Sequence, residues 1–181
     1  MNGSCHFVFS LTVGSMVAAN LDKLNAVLPN LSFTPSTITL IIMGSIVGGI
    51  MPDMDNPKSS IAKITEPFSN IVCFIGKRFG RGGKYHRGIL HDPFFYIIGI
   101  ILSYLHFTPL VGVFIGGMTH IYLDLYNSVG LPLFFGLKYV SLADINAGGK
   151  NAVVFTYINV ITTLIVGIGI NYGLFLPIAA Y

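Results

Sequence analysis

The chain has 181 residues, of which 53% are hydrophobic and only 9% are charged, and its formal net charge is +3. A soluble domain carries roughly 25% charged residues, because charge keeps its surface in contact with water. This composition therefore excludes an ordinary soluble domain and makes the lipid bilayer the natural solvent. Helix orientation and anionic lipid headgroups account for the small positive charge, so we expect no nucleic-acid partner.

Apolar stretches locate the predicted membrane spans, since a spanning helix needs about 20 mostly apolar residues. Five stretches approach this length: 5–21, 36–51, 92–107, 109–127 and 152–171. They predict an all-α fold, a polytopic membrane bundle of about five transmembrane helices in a single domain, 1–181. The first residues, Met1–Cys5, lack the basic region of a cleavable signal peptide, so the first stretch is predicted to be a permanent span.

The basic residues predict the orientation of these spans. Nine of the ten Lys and Arg residues fall in the loops that follow the second and fourth spans, and only Lys23 falls on the opposite side. The positive-inside rule places the loops rich in Lys and Arg in the cytoplasm. We therefore expect a multi-pass protein of the inner (plasma) membrane, with its N-terminus in the cytoplasm and its C-terminus outside.

The loop after the second span contains a predicted amphipathic helix at about 59–79. Ser59 or Ser60 can cap it, and Pro67 is expected to bend or restart it. Its apolar residues recur at helical spacing: Ile61, Ile64, Phe68, Ile71, Val72 and Ile75. Such a helix lies in the cytoplasmic membrane interface. An equally weighted alternative is a helix that packs across the ends of the spans.

Seven His and Asp residues meet at the cytoplasmic end when the five spans are traced in alternation. They are His6, Asp53, Asp55, His86, His91, His120 and Asp124. Ionisable groups are costly in a bilayer, about 2.5–3.5 kcal/mol each at a helix centre. Carboxylates combined with neutral imidazoles suit a divalent cation. The set predicts one or two metal ions bridged by a carboxylate, with zinc or manganese favoured and iron also compatible. Either Asp53 or Asp55 can bridge.

Two other acidic residues are given different roles. Asp92 precedes Pro93 and is predicted to cap the third span rather than to bind metal. Asp144 is predicted to be solvated.

Three glycines in the second span, Gly44, Gly48 and Gly49, permit close helix packing, either within the chain or with another copy in an oligomer.

Three sequence blocks resemble the YdjM-type family of bacterial inner-membrane metal-dependent hydrolases. The blocks are D-M-D-N-P-K-S at 53–59, H-R-G-I-L-H at 86–91 and G-M-T-H-I-Y-L-D at 117–124. They are similar in order and spacing to the family's P-D-x-D-H-P-K-S, H-R-G-x-T-H-S and S-H-x-x-x-D blocks. An early histidine, here His6, is also usual in the family. The resemblance covers about residues 5–136.

The resemblance implies that the seven His and Asp residues form the site of a hydrolase. The chain departs from the family pattern at three positions. Asn56 stands where a histidine is usual, which weakens or removes one ligand. Leu90 and Asp92 stand where threonine and serine are usual, and we expect them to alter hydrogen bonds around the ligands.

The resulting functional hypothesis is a membrane-bound metal-dependent hydrolase that acts on an ester or phosphoester at the cytoplasmic face. Asp53 and Asp55 are its predicted catalytic carboxylates. Arg87 is predicted to hold an anionic substrate oxygen, and its alternative role is a basic anchor at the membrane surface. The depth of the site suggests a lipid or another amphiphile as substrate. Two alternatives stand beside it: a small metal or proton transporter, and a membrane binding or regulatory protein with a structural metal.

Overall fold

This computed structural model describes residues 3–27, 34–79, 88–106, 110–134, 138–146 and 148–174. The α-helices are α1 Gly3–Ala19, α2 Leu21–Val27, α3 Pro35–Ile50, α4 Ser60–Ile64, α5 Phe68–Phe79, α6 Pro93–His106, α7 Val111–Asp124 and α8 Lys150–Asn171. Short 3-10 turns cover Met51–Asp55 and Ile89–His91, and two strands, β1 Leu131–Leu133 and β2 Lys138–Val140, form one antiparallel pair.

Five of these helices coincide with the predicted spans, namely α1, α3, α6, α7 and α8. Two segments are long and apolar enough to cross a membrane, by length and composition: Pro35–Asp55, which includes the 3-10 turn, and Lys150–Asn171. Gly3–Ala19 and Pro93–Leu105 are apolar but shorter. The 14 residues of α7 extend about 21 Å, against a hydrocarbon core of about 30 Å. The predicted all-α character is therefore confirmed in the main, whereas five complete crossings stay a prediction.

Polar groups lie inside the helical bundle and large apolar side chains lie outside it. Ser10, Ser45 and Thr119 are buried, while Met43 and Ile165 are more than half exposed. Large exposed apolar patches on a folded protein mark contact with another protein or with a membrane. This distribution supports the predicted apolar environment around the bundle.

Glycines let α3 and α7 approach closely at the centre of the bundle. A Cβ atom built on Gly48 would overlap the carbonyl of Val113, and one built on Gly116 would overlap the backbone of Ser45. Gly49 faces α1 instead, against the side chain of Ser10. The predicted close packing of these glycines therefore occurs within one chain.

The helix predicted at 59–79 is present as two pieces, α4 and α5, separated around Pro67. Ser59 is the cap, since its hydroxyl accepts a hydrogen bond from the Ala62 amide at 3.1 Å. The Cys73 thiol donates to the carbonyl oxygen of Asp55 at 3.3 Å, which fixes α5 against the Met51–Asp55 turn. The opposite face is exposed and apolar, with side chains of Ile64, Phe68, Ile71, Phe74 and Ile75.

The β1–β2 pair was not predicted, because three-residue strands leave no readable alternation in the sequence. Its register pairs Leu131 with Val140 and Leu133 with Lys138. The segment after β2 binds back to the end of α7, where the Leu142 amide donates to the Leu125 carbonyl at 2.8 Å. This connection supports the end of α7 that carries Asp124.

Replacing Gly48 with alanine tests the α3–α7 packing. Alanine favours a helix over glycine by about 0.5–1 kcal/mol, but here its methyl group would displace the Val113 backbone, and overpacking costs about 1–3 kcal/mol. We expect Gly48→Ala to lower the midpoint of thermal unfolding in detergent, measured by circular dichroism. Gly3→Ala, where a Cβ meets open space, is the matched control. Equal midpoints for the two variants would contradict this packing.

Candidate metal centre

The ends of four elements bring six of the seven predicted His and Asp residues together. The described members, which we call the His/Asp cluster, are His6 on α1, Asp53 and Asp55 in the first 3-10 turn, His91 in the second, and His120 and Asp124 on α7. His86 and Arg87 lie outside the described residues, and so does the side chain of His106. The convergence predicted from alternating spans therefore occurs for every described member.

The proton of the buried His120 ring is placed by the backbone of α3. Its Nδ1 lies 2.7 Å from the carbonyl oxygen of Gly49, and a carbonyl only accepts, so Nδ1 carries the proton. In the neutral ring, the Nε2 atom is then left with a lone pair. It lies 3.8 Å from Asp124 Oδ2 and 3.8 Å from Asp53 Oδ1, too far for a hydrogen bond. An acceptor nitrogen therefore faces two acceptor oxygens.

Asp55 orients the His91 ring in a similar way. Its Oδ2 atom lies 3.1 Å from His91 Nδ1 and also accepts a hydrogen bond from the Gly88 amide at 2.8 Å. The carboxylate places the His91 proton on Nδ1 and turns Nε2 toward Asp124 Oδ2, 3.9 Å away. Carboxylates that fix a histidine in this manner are common around metal ligands.

Asp124 occupies the middle of the three imidazoles. Its Oδ1 lies 3.4 Å from His6 Nε2, while Oδ2 faces both His91 and His120. The His6 ring stacks on the His120 ring with a centroid separation of 3.6 Å. The 3.4 Å approach of His6 Nε2 to Asp124 is not a well-aligned hydrogen bond, and Nδ1 of this buried ring has no hydrogen-bond partner among the described residues. A buried imidazole nitrogen without a partner is costly, so the cluster is incomplete as a set of hydrogen bonds.

The donor atoms suit a divalent cation. Two overlapping groups have ligand atoms within 4.8 Å of one another: His6, His120 and Asp124, and Asp53, His91 and His120. With zinc–nitrogen bonds of about 2.0–2.1 Å, two tetrahedral ligands lie roughly 3.4 Å apart, close to the separations found here. A cation between these atoms would satisfy both the imidazole lone pairs and the buried carboxylate. Asp55 belongs to neither group, and Oδ2 is already engaged with His91 and Gly88.

Access to the cluster runs through Asp53. Its side chain is 22% exposed, whereas the side chains of His120 and Asp124 are 0% and 3% exposed. Asp53 also lines an open cavity of about 610 Å³. The Ser59 hydroxyl donates to the Asp53 carbonyl at 2.7 Å and holds this part of the turn in place. Asp53 is therefore the described cluster residue through which a substrate could approach.

Several supporting groups have no signal in the sequence pattern. They are the Gly49 carbonyl, the Gly88 amide and the Tyr96 hydroxyl, which donates to the Leu90 carbonyl at 2.7 Å and fixes the turn that carries His91. The predicted cap is confirmed, since Asp92 Oδ1 accepts a hydrogen bond from the Phe94 amide at 2.9 Å. Every residue type carries the same backbone groups, and the chain has nine tyrosines, so the sequence does not single out these three contacts.

A comparison with protein families decides the family of this chain. The family model described as YdjM inner membrane protein matches residues 1–178. The chain belongs to the YdjM inner membrane protein family. No curated protein and no solved structure matches it.

Membership confirms the family predicted from the three sequence blocks, and it extends the match beyond residue 136 to include β2 and α8. It also makes association with the lipid bilayer a property of the family. The inner-membrane setting agrees with the exposed apolar surface of the bundle. Family membership by itself does not identify the reaction.

Proposed function

We propose that this YdjM-family protein is a membrane-bound metal-dependent hydrolase that acts on an ester or phosphoester at the cytoplasmic membrane face. One observation carries the proposal: His120 Nε2 is buried and has no hydrogen-bond partner among the described residues, while carboxylate oxygens of Asp53 and Asp124 each lie 3.8 Å from it. Acceptor atoms at these separations repel one another unless a cation lies between them. Asp53 is part-exposed and lines an open cavity, which supports a reactive rather than a sealed site.

Five residues are the proposed metal ligands: His6, Asp53, His91, His120 and Asp124. His86 remains a predicted ligand outside the described residues. Asp124 presents one oxygen to His6 and the other to His91 and His120, so it would hold a metal together with these imidazoles. The bridging role of Asp53 or Asp55 stays a prediction. We propose one or two divalent ions, zinc or manganese first and iron as a further candidate.

The residues of the chain have separate proposed roles around the metal. A bound divalent cation supplies the acidity that lets water act as a nucleophile near neutral pH. Asp53 faces the cavity and is placed to accept a proton from water. Gly49 and Asp55 hold His120 and His91 with Nε2 turned toward the centre of the cluster. The predicted anion-binding role of Arg87 remains a proposal.

The proposed membrane arrangement has five spans, with the N-terminus and the His/Asp cluster on the cytoplasmic side. The distribution of Lys and Arg supports this orientation. We propose that α4 and α5 lie in the interface, with the exposed apolar face that includes Phe68 and Phe74 toward the lipid. The two alternatives for this helix are compatible, because the Cys73 side of α5 packs against the Met51–Asp55 turn at the end of α3 while the opposite face is exposed.

A metal or proton transporter and a protein with a structural metal are the two alternatives. Among the side chains that the structure describes, every buried His and Asp belongs to or adjoins the His/Asp cluster. A transport path needs such groups along its whole length. A purely structural metal does not require the opening beside Asp53. Both observations favour hydrolysis.

Removing the central ligands should remove the metal. We expect detergent-purified wild type to contain about one to two equivalents of zinc, manganese or iron. The double variant His120→Ala/Asp124→Ala should lose the metal, because it lacks the His120 imidazole, which belongs to both ligand groups, and the central Asp124 carboxylate. Elemental mass spectrometry on monodisperse protein measures both. The control is Asp144→Ala, an exposed carboxylate outside the cluster.

The same assay separates a ligand from a residue that orients one. Asp55→Asn should bind metal about 10–100-fold more weakly than wild type, as is typical when a carboxylate behind a histidine ligand is changed. If wild type holds no metal after reconstitution with each cation, the proposed hydrolase mechanism is wrong.

Asp53→Asn tests whether the metal is catalytic. With zinc-loaded or manganese-loaded protein, we expect wild type to hydrolyse bis(p-nitrophenyl) phosphate or p-nitrophenyl butyrate, and Asp53→Asn to be slower by at least about a hundredfold. Without metal, the variant and wild type should unfold at the same temperature, because Asp53 is the most exposed described member of the cluster. Absence of hydrolysis in wild type, combined with unfolding on chelation, would favour the structural-metal alternative.

Reporter fusions test the membrane arrangement. Alkaline phosphatase folds actively outside the inner membrane, so a fusion after Tyr181 should be active and a fusion after Ser141 inactive. Fluorescent-protein fusions at the same positions should show the opposite pattern. Activity at both positions, or at Ser141 alone, would refute the proposed five-span orientation.

A further inference from the structure

The cavity beside the cluster lies between the start of α1, the Asp53 turn and α4. Its volume of about 610 Å³ is within the range of small-molecule sites. Asp53 connects it to the cluster, and Asn56, one of the three residues that depart from the family pattern, also lines it. The Asn56 side chain accepts a hydrogen bond from the Lys58 amide at 3.1 Å, which fixes the backbone at Lys58.

The polar part of the cavity wall suits an anion. Lys58 is exposed and forms no ion pair with a described acidic residue. Ser4 and Ser60, which carry hydroxyl groups, also line the cavity. The Ser59 hydroxyl already bonds to Asp53 and Ala62, so it is committed to the backbone. An ammonium group near hydroxyl donors is a common setting for phosphate oxygens.

The remaining wall is apolar and continues outside the cavity. Ile61 and Ile64 line it, and Ile64 is 79% exposed. Phe68 and Ile71 extend this exposed apolar surface along α5. A ligand with one anionic end and one apolar end would therefore place its charge at Lys58 and its chain along α4 and α5.

We propose that this cavity binds the phosphate group of a lipid or similar amphiphile, with Lys58 as the phosphate-binding residue and Ile61 and Ile64 as the start of the tail surface. This inference rests on the proposed function, because the Asp53 carboxylate would repel an anion unless a cation takes up its charge. It names phosphoester amphiphiles as the substrate class. It also assigns anion binding to a described residue rather than to Arg87.

A binding assay tests the inference without relying on turnover. The zinc-reconstituted protein in dodecyl maltoside is titrated against a fluorescent short-chain phosphatidate, followed by anisotropy. Lys58→Gln should weaken binding about tenfold, because it removes a charge-assisted contact. Lys63→Gln is the matched control, since Lys63 is an exposed lysine of α4 that does not line the cavity, and its affinity should stay within about twofold of wild type.

Competition identifies the source of the phosphate. Dodecyl phosphate should displace the fluorescent lipid at concentrations where inorganic phosphate does not, because only the former contacts Ile61 and Ile64. Ile64→Ser should reduce this difference without unfolding the protein, since the side chain is already exposed. Equal displacement by both compounds would overturn the lipid assignment and leave a site for free phosphate.

Equal losses in Lys58→Gln and Lys63→Gln would also overturn the inference, because they would indicate general attraction to a basic surface. Metal content, measured on the same samples, should be unchanged in both lysine variants. Failure of the proposed function would appear separately, as wild-type protein without bound metal or without hydrolysis, whatever the lysine variants do.

Discussion

The His/Asp cluster is organised around one buried carboxylate, that of Asp124. Asp124 lies among three imidazoles, and the Gly49 carbonyl and Asp55 place the protons of His120 and His91 on the atoms turned away from it. Lone pairs and carboxylate oxygens therefore point into the same small volume. Such a centre is costly in an apolar bundle unless a cation joins it. The proposed divalent metal is the simplest group that satisfies all of these atoms.

Close helix packing makes this centre geometrically possible. The glycines of α3 and α7 bring the two backbones together, and the carbonyl of Gly49 reaches the His120 ring only because the helices are that near. The Ser10 and Thr119 hydroxyls bond across the α1–α7 contact just beside the cluster. The same packing that stabilises the bundle therefore also orients the proposed ligands.

The surroundings of the cluster differ on its two sides. Toward the bundle, it is closed by helices whose outer surfaces are apolar and suit lipid. Toward the 3-10 turn, Asp53 opens onto a cavity whose wall passes from Lys58 to the exposed isoleucine and phenylalanine side chains of α4 and α5. The proposed hydrolytic centre would have access both to water and to the lipid interface, which a soluble substrate alone would not require.

The helical class, the positions of five helices and the break at Pro67 could be predicted from the sequence, because hydropathy and proline act locally. The described members of the His/Asp cluster could also be predicted, because ionisable residues are rare in this chain and alternating spans bring them to one end. The family also followed from three spaced blocks of residues. The tertiary structure alone decided the division of roles within the set. Asp124 is central and Asp55 supports His91, since these roles depend on distances between atoms far apart in the chain. The short β1–β2 pair and the Gly49 and Gly88 contacts were likewise invisible beforehand, because every residue type carries the same backbone amide and carbonyl groups.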